Sequence, residues 1–172
     1  ELSREQAAQF IAAYFERYPG VKSYLESTKQ KARKMGYVET VMGRRRYIPD
    51  LDSSNRQVRE AAERMAINMP VQGTAADIIK VAMVSLQREI DRRGVKSRLI
   101  LQVHDDLLLE SPVEEAEQAI ALLREVMSGA MQLSVPLKVD VKVGRNWGEM
   151  DASPAHAAVP EPPKPNAQMP LL

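Results

Sequence analysis

Two groups of polar side chains in this sequence have the types and spacing needed for chemistry. The first lies within Leu101-Gln102-Val103-His104-Asp105-Asp106-Leu107-Leu108-Leu109-Glu110, two apolar runs with a histidine and two carboxylates between them. Apolar strands would fix the backbone, and the bend would present the charge. Carboxylates are the oxygen ligands that a hard cation such as Mg2+ takes. A pair of such ions about 3.5–4 Å apart activates the attacking oxygen and stabilises the leaving one in phosphoryl transfer. Successive strand residues face opposite ways, so the spacing predicts one ligand from Asp105 and Asp106 unless the turn redirects the other. A solvated turn is the plain alternative, because Asp is a common turn residue. His104 beside Asp105 also fits a metal-dependent phosphohydrolase of the His-Asp type. The other histidine, His156, sits in a segment read below as disordered, so this chain alone cannot assemble a multi-histidine site.

The second group is in Arg64-Met65-Ala66-Ile67-Asn68-Met69-Pro70-Val71-Gln72-Gly73-Thr74-Ala75-Ala76-Asp77. Arg64, Asn68 and Gln72 are four apart, which aligns them on one helical face, with Pro70 perturbing the register. Guanidinium and amide donors suit the minor-groove acceptors that every base pair presents. A polar helix end that caps neighbouring backbone groups is the alternative. These residues close a basic stretch. From Lys22 to Arg64 there are eleven Lys or Arg, among them Arg44, Arg45 and Arg46, against six acids, in a chain of net charge +1. Such a block is either a solvated helix face or a surface that displaces counterions from a nucleic-acid backbone.

The elements that must position these groups follow from capping and periodicity. Ser3 with Gln6 forms a capping-box pattern, and Ala7, Phe10, Ile11, Tyr14 and Phe15 recur at helical spacing up to Pro19-Gly20. A second helix is predicted from about Val21 to Met35, ended by Gly36. Tyr37 to Met42 and Arg45 to Ile48 read as a hairpin turned at Gly43. Ser54 or Asn55 can cap a third helix through Ala66. Pro70 predicts a break, with Asn68 to Gly73 as a helix–helix junction and a new helix from Thr74 to Gly94. Arg98 to Val103 and Leu107 to Leu109 form a second hairpin, with His104, Asp105 and Asp106 at its tip. Ser111, Pro112 and Glu114 then start a helix whose Ala116, Ile120, Leu123 and Met127 face inward. Leu137 to Val143 alternates apolar and polar residues, the pattern of a half-exposed strand. Residues 151–172 hold six of the eleven prolines and read as a disordered tail. The expectation is an α+β fold, helices packed on a small antiparallel sheet over residues 1–150.

Composition narrows the classes. A chain of 172 residues with 44% hydrophobic and 27% charged residues is long enough for one globular domain. It contains no cysteine, which excludes disulfides, thiolate metal sites and a cysteine nucleophile. No apolar run is long enough for a membrane helix, and Glu1 to Gln6 is no signal peptide, so a cytoplasmic location is expected. The chain opens on Glu1, directly into a helix signal, which reads as the start of a fragment.

Taken in order, several strings resemble the family A, bacterial DNA polymerase I-type DNA polymerases. They are Gly36-Tyr37-Val38-Glu39-Thr40 with Gly43-Arg44-Arg45-Arg46-Tyr47-Ile48-Pro49-Asp50-Leu51, then Arg59-Glu60-Ala61-Ala62-Glu63-Arg64-Met65-Ala66 running into Asn68 to Asp77, and Leu101-Gln102-Val103-His104-Asp105. The resemblance runs from the first helix to about Trp147. It implies the carboxyl-terminal part of a polymerase palm, with Asp105 helping to hold two Mg2+ ions and His104 touching the backbone of the primer terminus. It also implies that Arg64, Asn68 and Gln72 line the primer–template minor groove, and that Arg44, Arg45 and Arg46 lie near DNA or brace the palm. The family usually carries Glu where this sequence has Asp106, a carboxylate one methylene shorter. Two family strings do not occur here: the first aspartate motif, Asp-Tyr-Ser-Gln-Ile-Glu-like, and the fingers helix that grips the deoxynucleoside triphosphate. The resemblance therefore implies a chain completed by a missing amino-terminal part of the same polymerase and inactive without it. A non-catalytic DNA-binding module and a metal-dependent phosphohydrolase are the alternatives.

Overall fold

The computed structural model describes residues 3–152. It contains four helices and small two-stranded antiparallel sheets. The chain divides into two compact units, Glu1–Asp77 and Ile78–Leu172.

The first unit begins with helix α1, Arg4–Arg17, whose start is fixed by local hydrogen bonds. The Ser3 hydroxyl accepts from the Gln6 amide at 3.2 Å, and the Gln6 side chain accepts from the Ser3 amide at 2.9 Å. Its apolar stripe forms as predicted but is not covered: Phe10, Ile11 and Tyr14 stay exposed. Pro19 supplies the first residue of helix α2, Pro19–Met35, where its missing N–H costs nothing. Gly36 ends α2 in the left-handed region, φ 76°, which a side chain would disfavour. Strands β1, Tyr37–Glu39, and β2, Arg45–Tyr47, pair antiparallel with Val38 opposite Arg46. A 3-10 turn at Pro49–Asp52 leads to helix α3, Arg56–Arg93. Asn55 caps it, its side-chain oxygen accepting from the Gln57 amide at 3.0 Å. Ala32, Val38, Ile48, Leu51, Ala62, Ala66 and Met69 form the core of this unit.

Helix α3 corrects the predicted junction at Asn68 to Gly73, because it runs unbroken through Pro70. A proline inside a helix forfeits one backbone bond and crowds the preceding turn, at a cost of about 3 kcal/mol. The Thr74 hydroxyl donates to the Pro70 carbonyl at 2.5 Å and accepts from the Val41 amide at 3.1 Å. Val41 and Arg44, from the β1–β2 turn, thus bond the helix just beyond the proline.

In the second unit, strands β3, Arg98–Val103, and β4, Asp106–Glu110, form a hairpin with a register shift between Leu99 and Leu101. A 3-10 turn, Val113–Glu115, precedes helix α4, Ala116–Ser128. Pro112 stands just before this turn in extended conformation rather than inside the helix. Leu86 and Ile90 of α3 and Leu122 and Val126 of α4 form the core, with Leu99, Leu107, Leu109 and Leu123 packed against it. Ile120 is buried as predicted, whereas Leu123 and Met127 are half-buried, because Ala119, Leu122 and Val126 carry the inward seam. Leu86 and Leu122 are fully buried, and truncating either to alanine costs about 2–5 kcal/mol.

The strand expected over Leu137 to Val143 is realised only as β5, Lys142–Gly144, paired with β6, Met150–Ala152. The alternation is present, since Leu137, Val139 and Val141 are half-buried while Lys138 and Asp140 are exposed. Among the described residues the ladder covers only Lys142–Gly144, with Lys142 opposite Ala152. Asp151 and Ala152 are thus backbone-paired, and the rest of the expected tail, 153–172, lies outside the described residues. The strands make three separate ladders rather than one continuous sheet. No helix among the described residues is long and apolar enough to cross a membrane.

Candidate functional site

In the second unit, β3 and β4 end in a two-residue turn made of His104 and Asp105. Val103 pairs with Asp106, so Asp106 is already the first residue of β4. By strand alternation its side chain belongs to the face opposite Leu107 and Leu109, the residues packed on the core. His104 holds a φ of 54°, the sole positive φ of a non-glycine residue among those described. The side-chain amide of Gln102 donates to the His104 carbonyl, bracing this bend. His104, Asp105 and Asp106 are all exposed. The turn therefore offers oxygen donors to solvent on a braced, left-handed backbone, a conformation that is costly for a residue with a Cβ.

The donor chemistry of the tip suits a hard divalent cation, but only in part. Among the described residues, no group of three or more His, Cys, Asp or Glu side chains is placed to hold a metal. A cation bound at Asp105 would need further ligands from elsewhere.

In the first unit, the continuity of α3 keeps Arg64, Asn68 and Gln72 in helical phase on one exposed face. Arg56 donates to Glu60 at 2.7 Å and holds that carboxyl below its ordinary range, with Arg64 adding a smaller Coulombic pull. The basic block is largely spent on local pairs: Lys29 with Glu26, Lys31 and Arg45 with Glu39, Arg33 with Glu63 and Arg56 with Glu60. Among the described residues, Lys22, Lys34, Arg46, Arg59 and Arg64 form no ion pair; Arg59 donates to the Ser53 carbonyl at 2.8 Å, so Lys22, Lys34, Arg46 and Arg64 are the cations left for a phosphate.

The three consecutive arginines divide. Arg44 turns onto α3, its Nε donating to Asp77 Oδ1 at 2.7 Å and its Nη2 to the Gly73 carbonyl at 3.0 Å. Arg45 pairs with Glu39 at 3.4 Å and lies 4.6 Å from the centre of the Tyr37 ring. Arg46 is exposed. Residue spacing did not single out the partners of Arg44. Thr40, Thr74 and Asp77 are buried polar residues, and an alanine Cβ at Gly73 would stand 2.7 Å from the Thr40 methyl. One signal was available: a threonine four residues after a proline places its hydroxyl over the proline carbonyl.

The family model for DNA polymerase family A matches residues 1–149. The chain belongs to DNA polymerase family A. DNA polymerase I of Mycobacterium tuberculosis is 54% identical over 147 residues, which is 86% of this chain and 16% of that protein. The thermostable DNA polymerase I of Thermus thermophilus is 53% identical over 143 residues, 83% of this chain and 17% of that protein. Among solved structures, the POL domain of Pol1 from M. smegmatis, in complex with DNA primer-template and dNTP, superposes with a TM-score of 0.77 at 53% identity. That match covers 80% of this chain and 24% of the neighbour. The chain thus spans about a sixth of the length of these family A polymerases.

Proposed function

We propose that this chain supplies one metal-binding aspartate and the duplex-contacting residues to template-directed DNA synthesis by a longer polymerase. The reaction would join the primer 3′-hydroxyl to the α-phosphate of a deoxynucleoside triphosphate and release pyrophosphate. One observation carries the reading: in a member of DNA polymerase family A, the Asp105 carboxylate stands exposed on a braced two-residue turn instead of being consumed by the core. Asp105 is the residue that would hold Mg2+. A pair of Mg2+ ions, when bound, lowers the charge barrier at the attacking and leaving oxygens. The Asp105 side chain would provide an anionic oxygen at the end of the β3–β4 hairpin. Asp106 lies one residue inside β4 and takes a secondary part in the chemistry, on the face away from Leu107 and Leu109.

His104 would donate to the backbone of the primer terminus from the adjacent position of the same turn. Arg64, Asn68 and Gln72 would donate hydrogen bonds to minor-groove acceptors, a form of contact that tolerates any base pair. Arg46 would add charge near the phosphates, and Arg45, held by Glu39, would lie beside it near the DNA. Arg44 serves as a brace through Asp77 and Gly73. Primer–template DNA, a deoxynucleoside triphosphate and the remainder of the polymerase are the proposed partners. The complex of the M. smegmatis neighbour with DNA primer-template and dNTP supports them.

Asp105→Ala in the complete polymerase tests this. Extension of a primer should fall by at least about 10²-fold while primer–template affinity stays near that of the parent. Extension within about threefold of the parent would remove Asp105 from the site. The isolated chain should extend no primer, and extension by it would refute the claim that the ligand set is completed elsewhere.

A further inference from the structure

We propose that the β1–β2 turn, Thr40 to Arg44, is a positioning device that fixes the helical phase of α3 across Pro70, and so the alignment of Gln72 with Arg64 and Asn68. The alignment matters through the proposed duplex contacts, so this inference rests on that reading. Pro70 lies between Asn68 and Gln72, and it has no N–H to bond back to the Ala66 carbonyl. The two halves of α3 therefore meet at the point where the helix is least able to hold its own register.

The turn grips the carboxyl-terminal side of that point, and the residues flanking the turn hold the amino-terminal side, where Val38 of β1 and Ile48 share a core with Ala62, Ala66 and Met69. The Thr74 hydroxyl bridges the Pro70 carbonyl at 2.5 Å and the Val41 amide at 3.1 Å. The Thr40 methyl closes on Gly73, where no Cβ stands in its way. Arg44 reaches two consecutive levels of the helix, the Gly73 carbonyl at 3.0 Å and the Asp77 carboxylate at 2.7 Å. The turn is itself held, because the Thr40 hydroxyl accepts from the Arg44 amide at 3.1 Å and the Thr40 amide donates to the Arg44 carbonyl at 3.0 Å.

Geometry separates the grip from the contact face. At about 100° per residue, positions 70, 73, 74 and 77 centre about half a turn away from positions 64, 68 and 72. The grip thus acts on the buried side of α3 and leaves the other side open for a ligand. Thr40, Arg44 and Thr74 are positioning residues in this scheme, since each acts through α3.

The sequence has no cysteine, so Ala61→Cys and Ala75→Cys put two nitroxide labels on exposed positions flanking Pro70 in the full chain. At about 1.5 Å per residue the labels are separated by about 21 Å along the helix, within reach of pulsed dipolar spectroscopy. The parent and Thr74→Ser, which keeps the hydroxyl, should give one narrow distance distribution. Thr74→Val, which loses it, should broaden that distribution. Arg44→Lys, which keeps charge but not the two-pronged bond, should broaden it less. A parent distribution that is already broad, or Thr74→Val and Arg44→Lys distributions as narrow as the parent's, would overturn the proposal.

Primer–template binding by the same chains separates the two readings. Gln72→Ala should weaken binding by about 3- to 10-fold in the parent, as the loss of one hydrogen bond does, and should add nothing in the Thr74→Val background. Broadened distances with no effect of Gln72→Ala in the parent would leave the positioning role standing and refute the duplex contact. A full effect of Gln72→Ala in the Thr74→Val background would refute the positioning role.

Discussion

Replacing His104 with glycine is expected to make the chain more stable and the polymerase that contains it less active. His104 sits at φ 54°, and its exposed imidazole forms no hydrogen bond among the described residues. The bond at this residue goes to its backbone carbonyl, which accepts from Gln102 and survives any substitution. An L-residue held in the left-handed region costs about 1–2 kcal/mol. Glycine removes that cost but loosens the unfolded chain, which offsets about 0.4–1 kcal/mol of the gain. The net stabilisation is then about 0.5–1 kcal/mol, or about 1–4 °C in the melting temperature of a chain this size. His104→Ala is the control, because it removes the imidazole and keeps the strain, and it should lie within about 0.5 kcal/mol of the parent. Urea unfolding of the three chains, with equal slopes, reads the difference directly. A glycine variant that unfolds at or below the urea concentration of the alanine variant would show that the bend is not strained. In primer extension by the complete polymerase, both substitutions should lower the rate equally, because both lack the imidazole proposed to meet the primer terminus.

Gly73→Ala should destabilise the chain by about 1–3 kcal/mol through overpacking, since its Cβ would meet the Thr40 methyl at 2.7 Å. Thr40→Ser, which deletes that methyl, should recover most of the loss in the urea midpoint of the double variant. Glu89 is held down at about 2, first by the hydrogen bonds from Arg92 and then by the one from Arg93. A depressed carboxyl contributes stability above its unfolded value and loses it as pH falls through the folded one, so this contribution should fade between about pH 4.5 and about pH 2. Glu89→Gln should flatten that part of the stability–pH curve. High salt should shrink the difference, because these side chains are partly exposed.

Features settled by near neighbours were legible in the residues. The Ser3–Gln6 box, the glycine stop at Gly36 and the Asn55 cap each depend on hydrogen bonds within a few positions. The hairpin at 98–110 was legible because two apolar runs flank a polar turn, and a polar turn between apolar strands faces water. The resemblance to family A polymerases rested on strings of residues in order, and the family match over residues 1–149 agrees with it. Residue spacing also put Arg64, Asn68 and Gln72 on a common face, but only provided that the helix did not end at Pro70.

That proviso was decided by tertiary contacts. The bonds that Val41 and Arg44 make to α3 beyond Pro70 join residues 33 apart at Thr74 and at Asp77, and 29 apart at Gly73. No local propensity encodes them. The same holds for the division of labour among Arg44, Arg45 and Arg46, three identical side chains that the fold sends to a helix, to an acid beside an aromatic ring, and to solvent. It holds too for Leu137 to Val143, whose alternation is written in the chain while its ladder depends on a partner strand. A side chain's type is local information, but which distant donor or acceptor reaches it is set only when the chain has folded.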